Sequence, residues 1–306
     1  MSHKRSHRQL QGDEWQVYAL MLPAAILILI FSYLPMWGVI LAFQNYRAGN
    51  PLFSLIGVDW VGLRWLKQFV ESIYFGRILR NTIRLSLLNL VFGFTAPIAF
   101  ALMLNEVRNL RYKKFVQTAS YLPYFVSTVV VAGIVLSFVD MNGLLNNLLA
   151  FFGAQRVEWI VHPRYFPAIY TVTNVWKGFG FGSILYFSTI SSIDPTMYEA
   201  ARIDGANRAQ QLWHITLPNL MFIIAVQLIM QVGSILNTNR DLILLLYRPS
   251  TYETADVIGT YVYRMGIEGG KYSYSAAVSL FMSLFGVTLT IVCNRISNKL
   301  TGYGLW

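Results

Sequence analysis

Glu199, Ala200 and Ala201, followed by Arg202, Asp204 and Gly205, lie in a polar run from Tyr198 to Pro218 that separates two long apolar stretches. This run suits gripping rather than bond-making. Two small side chains let a helix seat deeply in a groove, and Glu199, Arg202 and Asp204 put charged handles around them. A second set of polar residues lies inside the apolar stretches. Asn219, Gln227, Gln231, Ser234 and Thr238 recur at intervals of eight, four, three and four, which places them on one helical face. That face serves either a water-filled pathway or hydrogen bonds between helices. Lys177 and Arg84 are intramembrane cations, and either their heads reach the nearby boundary or they face a cavity suited to an acidic or hydroxyl-rich solute.

Reactive constellations are missing from the sequence. No G-x-x-x-x-G-K-[ST] run occurs to cradle nucleotide phosphates, so the chain is not expected to hydrolyse ATP itself. His3, His7, His162 and His214 are isolated, with no H-E-x-x-H or paired-Cys spacing for a metal and no G-x-S-x-G elbow. Most carboxylates fall in loops, which leaves an intramembrane proton relay without its usual groups. The single cysteine, Cys293, reads as a small packing residue. A membrane enzyme and a proton-coupled carrier both lose ground, and an autonomous channel stays open as an alternative.

The elements that position these residues follow from composition. Of 306 residues, 55% are apolar and 12% charged, about half the charge content of a soluble domain. Six segments supply the roughly 20 apolar residues that a spanning helix needs: 17–43, 81–104, 115–139, 166–190, 217–236 and 276–294. The first is too long for a signal-peptide core and reads as a retained span. The fold class is therefore all-α, a polytopic membrane protein with six transmembrane helices. It divides into a basic cytoplasmic N-terminus (1–16), a membrane domain (17–294) whose polar loop covers 193–218, and a cytoplasmic C-terminus (295–306).

The net charge of +10 is scattered through loops, which argues for membrane orientation and against nucleic acid. With the N-terminus inside, the inner pieces hold eleven Lys and Arg in 64 residues and the outer loops eleven in 100. That density, led by Lys4-Arg5-Arg8 and Arg108-Arg111-Lys113-Lys114, favours inner termini. Trp15, Tyr18, Trp37 and Tyr46 fall near the ends of the first span, where amphipathic rings anchor at the interface. Leu63, Leu66, Phe69 and Val70 suggest a short amphipathic helix, either lying on the outer membrane surface or packed against neighbouring spans. Two stripes of small residues, Asn174-Gly178-Gly182 and Ser279-Ser283-Gly286-Thr290, are read mainly as helix-packing seams.

The polar loop has its own local grammar. Asp194 followed by Pro195 predicts a helix start, Gly205 a left-handed exit, and a second helical run covers 206–214 before Pro218 opens the fifth span. The whole would be a helix, a break and a helix across the membrane face, free to act as a plain surface loop or as a docking module.

The spacing Glu199-Ala200-Ala201, three residues, Gly205, nine residues, Ile215-Thr216-Leu217-Pro218 resembles the EAA motif of binding-protein-dependent ABC importer permeases, with no departure. Gly62-Leu63, Asn81-Thr82, Leu122-Pro123 and Asn174-Val175-Trp176-Lys177 are similar to the oligosaccharide-importer branch. Leu22-Pro23 and Tyr33-Leu34-Pro35 resemble its subgroup for fragments of complex polysaccharides. The resemblance implies a type I importer fold like that of maltose permeases, in a bacterial plasma membrane. It also implies a second, different permease subunit, two ATPase subunits that bind ATP and Mg, and an extracytoplasmic solute-binding protein, with no cofactor in this chain. By position, Glu199, Ala200, Ala201, Asp204 and Gly205 would form the ATPase-coupling site. Asn174, Trp176, Lys177, Gln227, Gln231 and Asn237 would line the substrate pathway. Amides and flat rings suit sugar hydroxyls and ring faces once water is stripped away.

Overall fold

The structure is a computed structural model that describes residues 7–47, 49, 58–302 and 304; Lys4 and Arg5 of the basic head lie outside the described residues. Among these residues the only extended pairing is one bridge, Gln44 with Trp60. Everything else regular is helix.

The N-terminal path is α1 (His7–Ile28), a π-turn (Leu29–Tyr33), α2 (Leu34–Met36) and a 3-10 stretch (Trp37–Phe43). After α3 (Arg64–Val70) come the long α4 (Phe75–Asn105), then α5 (Leu110–Phe125), α6 (Thr128–Val139) and α7 (Leu144–Phe151). Next are α8 (Phe166–Ser191), α9 (Pro195–Ile203), α10 (Arg208–Gln211) and α11 (Leu217–Gly233). Three short helices, α12 (Arg240–Leu246), α13 (Tyr252–Ala255) and α14 (Ile258–Tyr263), lead to the terminal α15 (Tyr272–Thr301).

Five stretches are long and apolar enough to cross a bilayer: Trp15–Phe43, Phe75–Asn105, Thr128–Phe151, Arg208–Gly233 and Tyr272–Lys299. The other expected span, α8, is helical over 26 residues, or about 39 Å at the usual rise. It carries Asn174, Lys177 and several hydroxyls and packs on α4, α5, α11 and α12, so its polarity is turned largely to protein.

The third expected span, 115–139, is broken. Val126 is extended (ψ 136°) and Ser127 caps the restart, its Oγ accepting from Val130 N at 3.3 Å. Pro123 in the last turn of α5 and the β-branched run after Ser127 account for a stop and a new start. α5 and α6 nevertheless both pack against α8. Gly180 of α8 abuts the Ser120 carbonyl so closely that any Cβ there would collide with it. Tyr124 stacks on Phe181 at 4.0 Å, and Lys177 Nζ donates to Thr128 Oγ1 at 2.8 Å.

Proline also shapes two spans from within. Leu34 N–H bonds Leu29 O before Pro35, and Leu217 N–H bonds Leu212 O before Pro218. Each proline lacks the N–H that would continue the α ladder, and a π-turn one residue earlier takes up the slack. The run expected over 206–214 is thus not separate from the fifth span: it starts at Arg208 and continues through the π-turn into α11.

The short helix α3 packs against its neighbours. Phe69 is fully buried among Phe75, Tyr261, Tyr274 and Phe281, with ring centroids 5.1 to 6.5 Å away, while Leu63 and Val70 stay exposed. Of the small-residue stripes, Gly286 does serve close approach, at the Gly233 carbonyl of α11, whereas nothing lies near Gly178. In α8 the stripe serves close approach at Gly182, where a Cβ would meet the Pro97 ring of α4 at 3.3 Å, and the tightest contact belongs to Gly180, outside the stripe.

The segment 238–275, expected as an outer loop, is mostly core. Leu242, Ile243, Leu246, Ala255, Val257 and Ile258 are completely buried, most of them against Leu85, Ala132, Phe166 and Tyr170 of the long helices. Asp256 is also fully buried. Its carboxylate accepts from both Arg264 terminal nitrogens at 3.1 and 2.7 Å and from Thr260 Oγ1 at 2.9 Å, with Arg77 Nη2 at 3.5 Å. Asn81 Nδ2 donates to the carbonyls of Glu253 and Asp256 at 2.9 and 3.0 Å, and Ile258 N–H donates to Thr82 Oγ1 at 2.9 Å. Asn81 and Thr82 therefore pin this segment to the start of α4.

Candidate functional site

The polar loop is built around α9. Asp194 accepts from Thr196 N at 2.9 Å, which caps the helix ahead of Pro195 and holds the Asp194 carboxyl below the usual carboxylate range. At the other end Ala206 N bonds Ala201 O at 2.8 Å and Gly205 N bonds Arg202 O at 3.1 Å, a Schellman exit that needs the φ of +79° found at Gly205. Asn207 then caps α10 in a box with Gln210. Both ends of the short helix are fixed by its own sequence.

Two ties hold α9–α10 to the bundle. Tyr198 OH meets Thr216 Oγ1 at 3.0 Å, and Arg208 pairs with Glu106 just beyond α4. Between α4 and the loop is a cleft of ≈ 970 Å³, lined in part by Glu106, Arg108, Tyr198, Glu199 and Arg202. None of the described residues covers the other side. Met197 is 43% and Ile203 87% exposed, with Ala200 also exposed between them, while Ala201 is half-buried. Met197, Ala200 and Ile203, three residues apart, form an apolar stripe flanked by Glu199, Asp204 and Gly205.

The intramembrane polar residues assemble in part. Asn174 Nδ2 donates to Asn89 Oδ1 at 2.6 Å and receives Asn239 Nδ2 on its own Oδ1 at 3.0 Å. Asn239 N–H donates to Tyr170 OH at 3.0 Å, and its side chain caps α12 at Leu242 N. This chain of amides joins α4, α8 and the break between α11 and α12. Asn174, Asn89, Gln227 and Gln231 line a cleft of ≈ 210 Å³, with Gly178 at its wall. Asn89, Gln231 and Asn237 line an adjoining one of ≈ 150 Å³ with Ser86, Tyr170 and Thr238. There Ser86 Oγ and Thr238 Oγ1 are buried with no hydrogen-bond partner among the described residues, so two hydroxyls face a polar space unanswered.

Two expected pathway residues stand apart. Trp176 is 40% exposed, and neither it nor Lys177 lines these clefts. Lys177 is half-buried and turned to Thr128 at the α5–α6 break, and Arg84 is exposed. Ser86 and Asn89, absent from the sequence reading, belong to the run Thr82, Ser86, Asn89, Gly93 at intervals of four, three and four. That is the same stripe signal as on α11.

Residues 93–302 match the family described as binding-protein-dependent transport system inner membrane component. The chain is 40% identical over 294 residues, 95% of its length and 90% of the other, to the polygalacturonan/rhamnogalacturonan transport system permease protein YteP of Bacillus subtilis (strain 168). It is 39% identical to Protein LplB of the same strain over 97% of this chain and 92% of that one. Among solved structures, a chain of a bacterial alginate ABC transporter in complex with alginate pentasaccharide-bound periplasmic protein superposes with a TM-score of 0.87 at 40% identity, covering 99% of this chain and 100% of that one. With most of its residues matched and relatives this similar end to end, the chain belongs to the binding-protein-dependent transport system inner membrane component family.

Proposed function

We propose that this chain is the permease subunit of an ATP-driven oligosaccharide importer, and that α9 is where an ATPase subunit pushes on it. The observation that carries the coupling is the Met197–Ala200–Ile203 stripe, exposed on a helix whose two ends are locked. Burying Ile203 in a partner groove would contribute about 1.5–3 kcal/mol, while Glu199 and Asp204 supply charged contacts at the rim. Glu199, Ala200, Ala201, Asp204 and Gly205 then form the coupling site. The α9 side is cytoplasmic, and both termini are cytoplasmic with it.

The Asn89–Asn174–Gln227–Gln231 cleft and its continuation at Ser86, Asn237 and Thr238 form this subunit's share of the path, completed by a second permease subunit. Amides and hydroxyls without a carboxylate line both clefts, a surface that answers sugar hydroxyls and does not repel an acidic sugar. Support for the acidic class comes from relatives named for polygalacturonan and rhamnogalacturonan and from an alginate transporter. We therefore assign oligosaccharides derived from acidic polysaccharides as cargo, delivered by a solute-binding protein at the face opposite α9. Two ATPase subunits bind ATP and Mg in the cytoplasm of a bacterial cell.

The test is uptake and ATP hydrolysis by the assembled transporter in proteoliposomes. Glu199→Lys and Gly205→Pro are expected to abolish uptake and ATPase docking while the chain still inserts and purifies. Normal transport by both variants would remove the coupling role, and uptake by this chain without an ATPase would replace the reading with an autonomous channel.

A further inference from the structure

On the face opposite α9, a second large cleft of ≈ 950 Å³ opens between α3 and the turn that starts α15. It shares no lining residue with the membrane clefts. Its wall combines two kinds of chemistry. Trp65, Tyr74 and Tyr272 contribute rings, with Tyr74 and Tyr272 44% and 38% exposed. Arg64, Lys67 and Lys271 contribute charge, against the single carboxylate of Glu71. Glu71 is already engaged by Lys67 at 3.7 Å. Neither Arg64 nor Lys271 has an ion-pair partner among the described residues, and the Arg64 guanidinium lies 5.5 Å from the Trp65 ring centroid. All six residues fall outside the six apolar spans read from the sequence, so these charges meet water and solute rather than lipid.

Aromatic faces stack on the apolar faces of sugar rings, and a guanidinium or ammonium answers a sugar carboxylate. The volume lies at the upper end of small-molecule clefts and leaves room for more than one ring. We propose that this cleft is an acidic-oligosaccharide site on the receiving face of the permease, separate from the path through the membrane. Arg64 and Lys271 hold uronate carboxylates there, and Tyr272 with Tyr74 packs on the rings. A site of this kind would retain an anionic sugar chain between delivery and entry. The proposal rests on the oligosaccharide reading above, but it concerns a different surface and fails separately.

The experiment uses the assembled transporter in nanodiscs without its binding protein, with trigalacturonate and its carboxyl-reduced neutral counterpart as probes followed by saturation-transfer NMR. Trigalacturonate is expected to bind saturably, more weakly as salt is raised, and the neutral sugar to bind at least about tenfold less tightly. The double variant Arg64→Gln/Lys271→Gln is expected to lose about tenfold or more for the acidic probe. Its two sites are exposed, so assembly is retained and is checked by size-exclusion chromatography. Gln231→Leu, in the membrane cleft, leaves this binding unchanged. Absence of saturable binding, equal binding of both sugars, or an unaffected double variant each overturns the site. So does a double variant that weakens only docking of the solute-binding protein, which would give the cleft to a protein partner. If wild-type proteoliposomes import acidic oligosaccharide while no binding is seen, the inference alone fails; if they import no sugar, the functional reading fails.

Discussion

Two connections between long helices, on opposite faces of the molecule, are built on opposite plans. Residues 192–216, between α8 and α11, form helices with no buried residue in α9 or α10 and Ile203 almost wholly exposed. Residues 234–271, between α11 and α15, bury six apolar side chains completely and enclose Asp256 with Arg264 and Arg77. The first is rigid in itself and lightly attached, as the proposed docking of an ATPase subunit requires. The second is core that happens to lie between two spans, and it locks one end of the bundle by joining α4, α6 and α8. The difference separates residues whose loss should disable function from residues whose loss should undo the fold.

Asp256→Ala gives the largest effect on stability. Removing the carboxylate strands two guanidinium groups, one of them stacked near Tyr252 at 4.9 Å, and breaking a buried pair in this way costs about 3–5 kcal/mol. Asp204→Ala, a carboxylate on the exposed connection, is expected to shift stability by no more than about 0.5 kcal/mol while lowering uptake. Thermal unfolding of the purified subunit in detergent measures both. Equal shifts for the two aspartates would break the comparison.

Asn81→Ala is next. It removes both donors to the Glu253 and Asp256 carbonyls, and leaving buried acceptors unanswered costs about 1–3 kcal/mol. The loosening should be local. Hydrogen exchange is expected to rise in residues 253–263 and to stay unchanged in 195–211; a rise in both would mean that the connections are coupled.

The exposed connection was readable because its devices are local. Asp194-Pro195 and Gly205 act within a turn of themselves, and the structure repeats them as a cap and a left-handed exit. The buried connection was not readable, because what organises it acts at long range. Asp256 meets Arg77 across 179 positions of sequence, and Asn81 reaches Glu253 across 172. Its short helices, of four to seven residues, give too few turns for a periodic signal, so the segment read as a loop. The membrane clefts fall between these cases. The stripe on α11 points to Gln227 and Gln231, whereas the matching stripe of Thr82, Ser86 and Asn89 lies in a helix whose apolar content dominates its signal. Trp176, two residues beyond Asn174, turns to another face of α8, and Lys177, three residues beyond, is taken up by Thr128 at the α5–α6 break.

The smallest effect expected is at the tie between Glu106 and Arg208. Both side chains are more than half exposed, and a pair of this kind contributes about 0.2–1 kcal/mol, so Glu106→Gln should scarcely move the unfolding midpoint. Its value lies in what else it changes. Both residues line the cleft behind α9, and among the described residues the pair is one of two side-chain ties between the α9–α10 unit and the bundle, the other being Tyr198 with Thr216. If the unit moves against the end of α4 during coupling, Glu106→Gln alters the ratio of ATP hydrolysed to sugar imported while stability holds. If the unit is fixed to the bundle like the buried connection on the other face, that ratio stays at the wild-type value and the two connections differ only in burial.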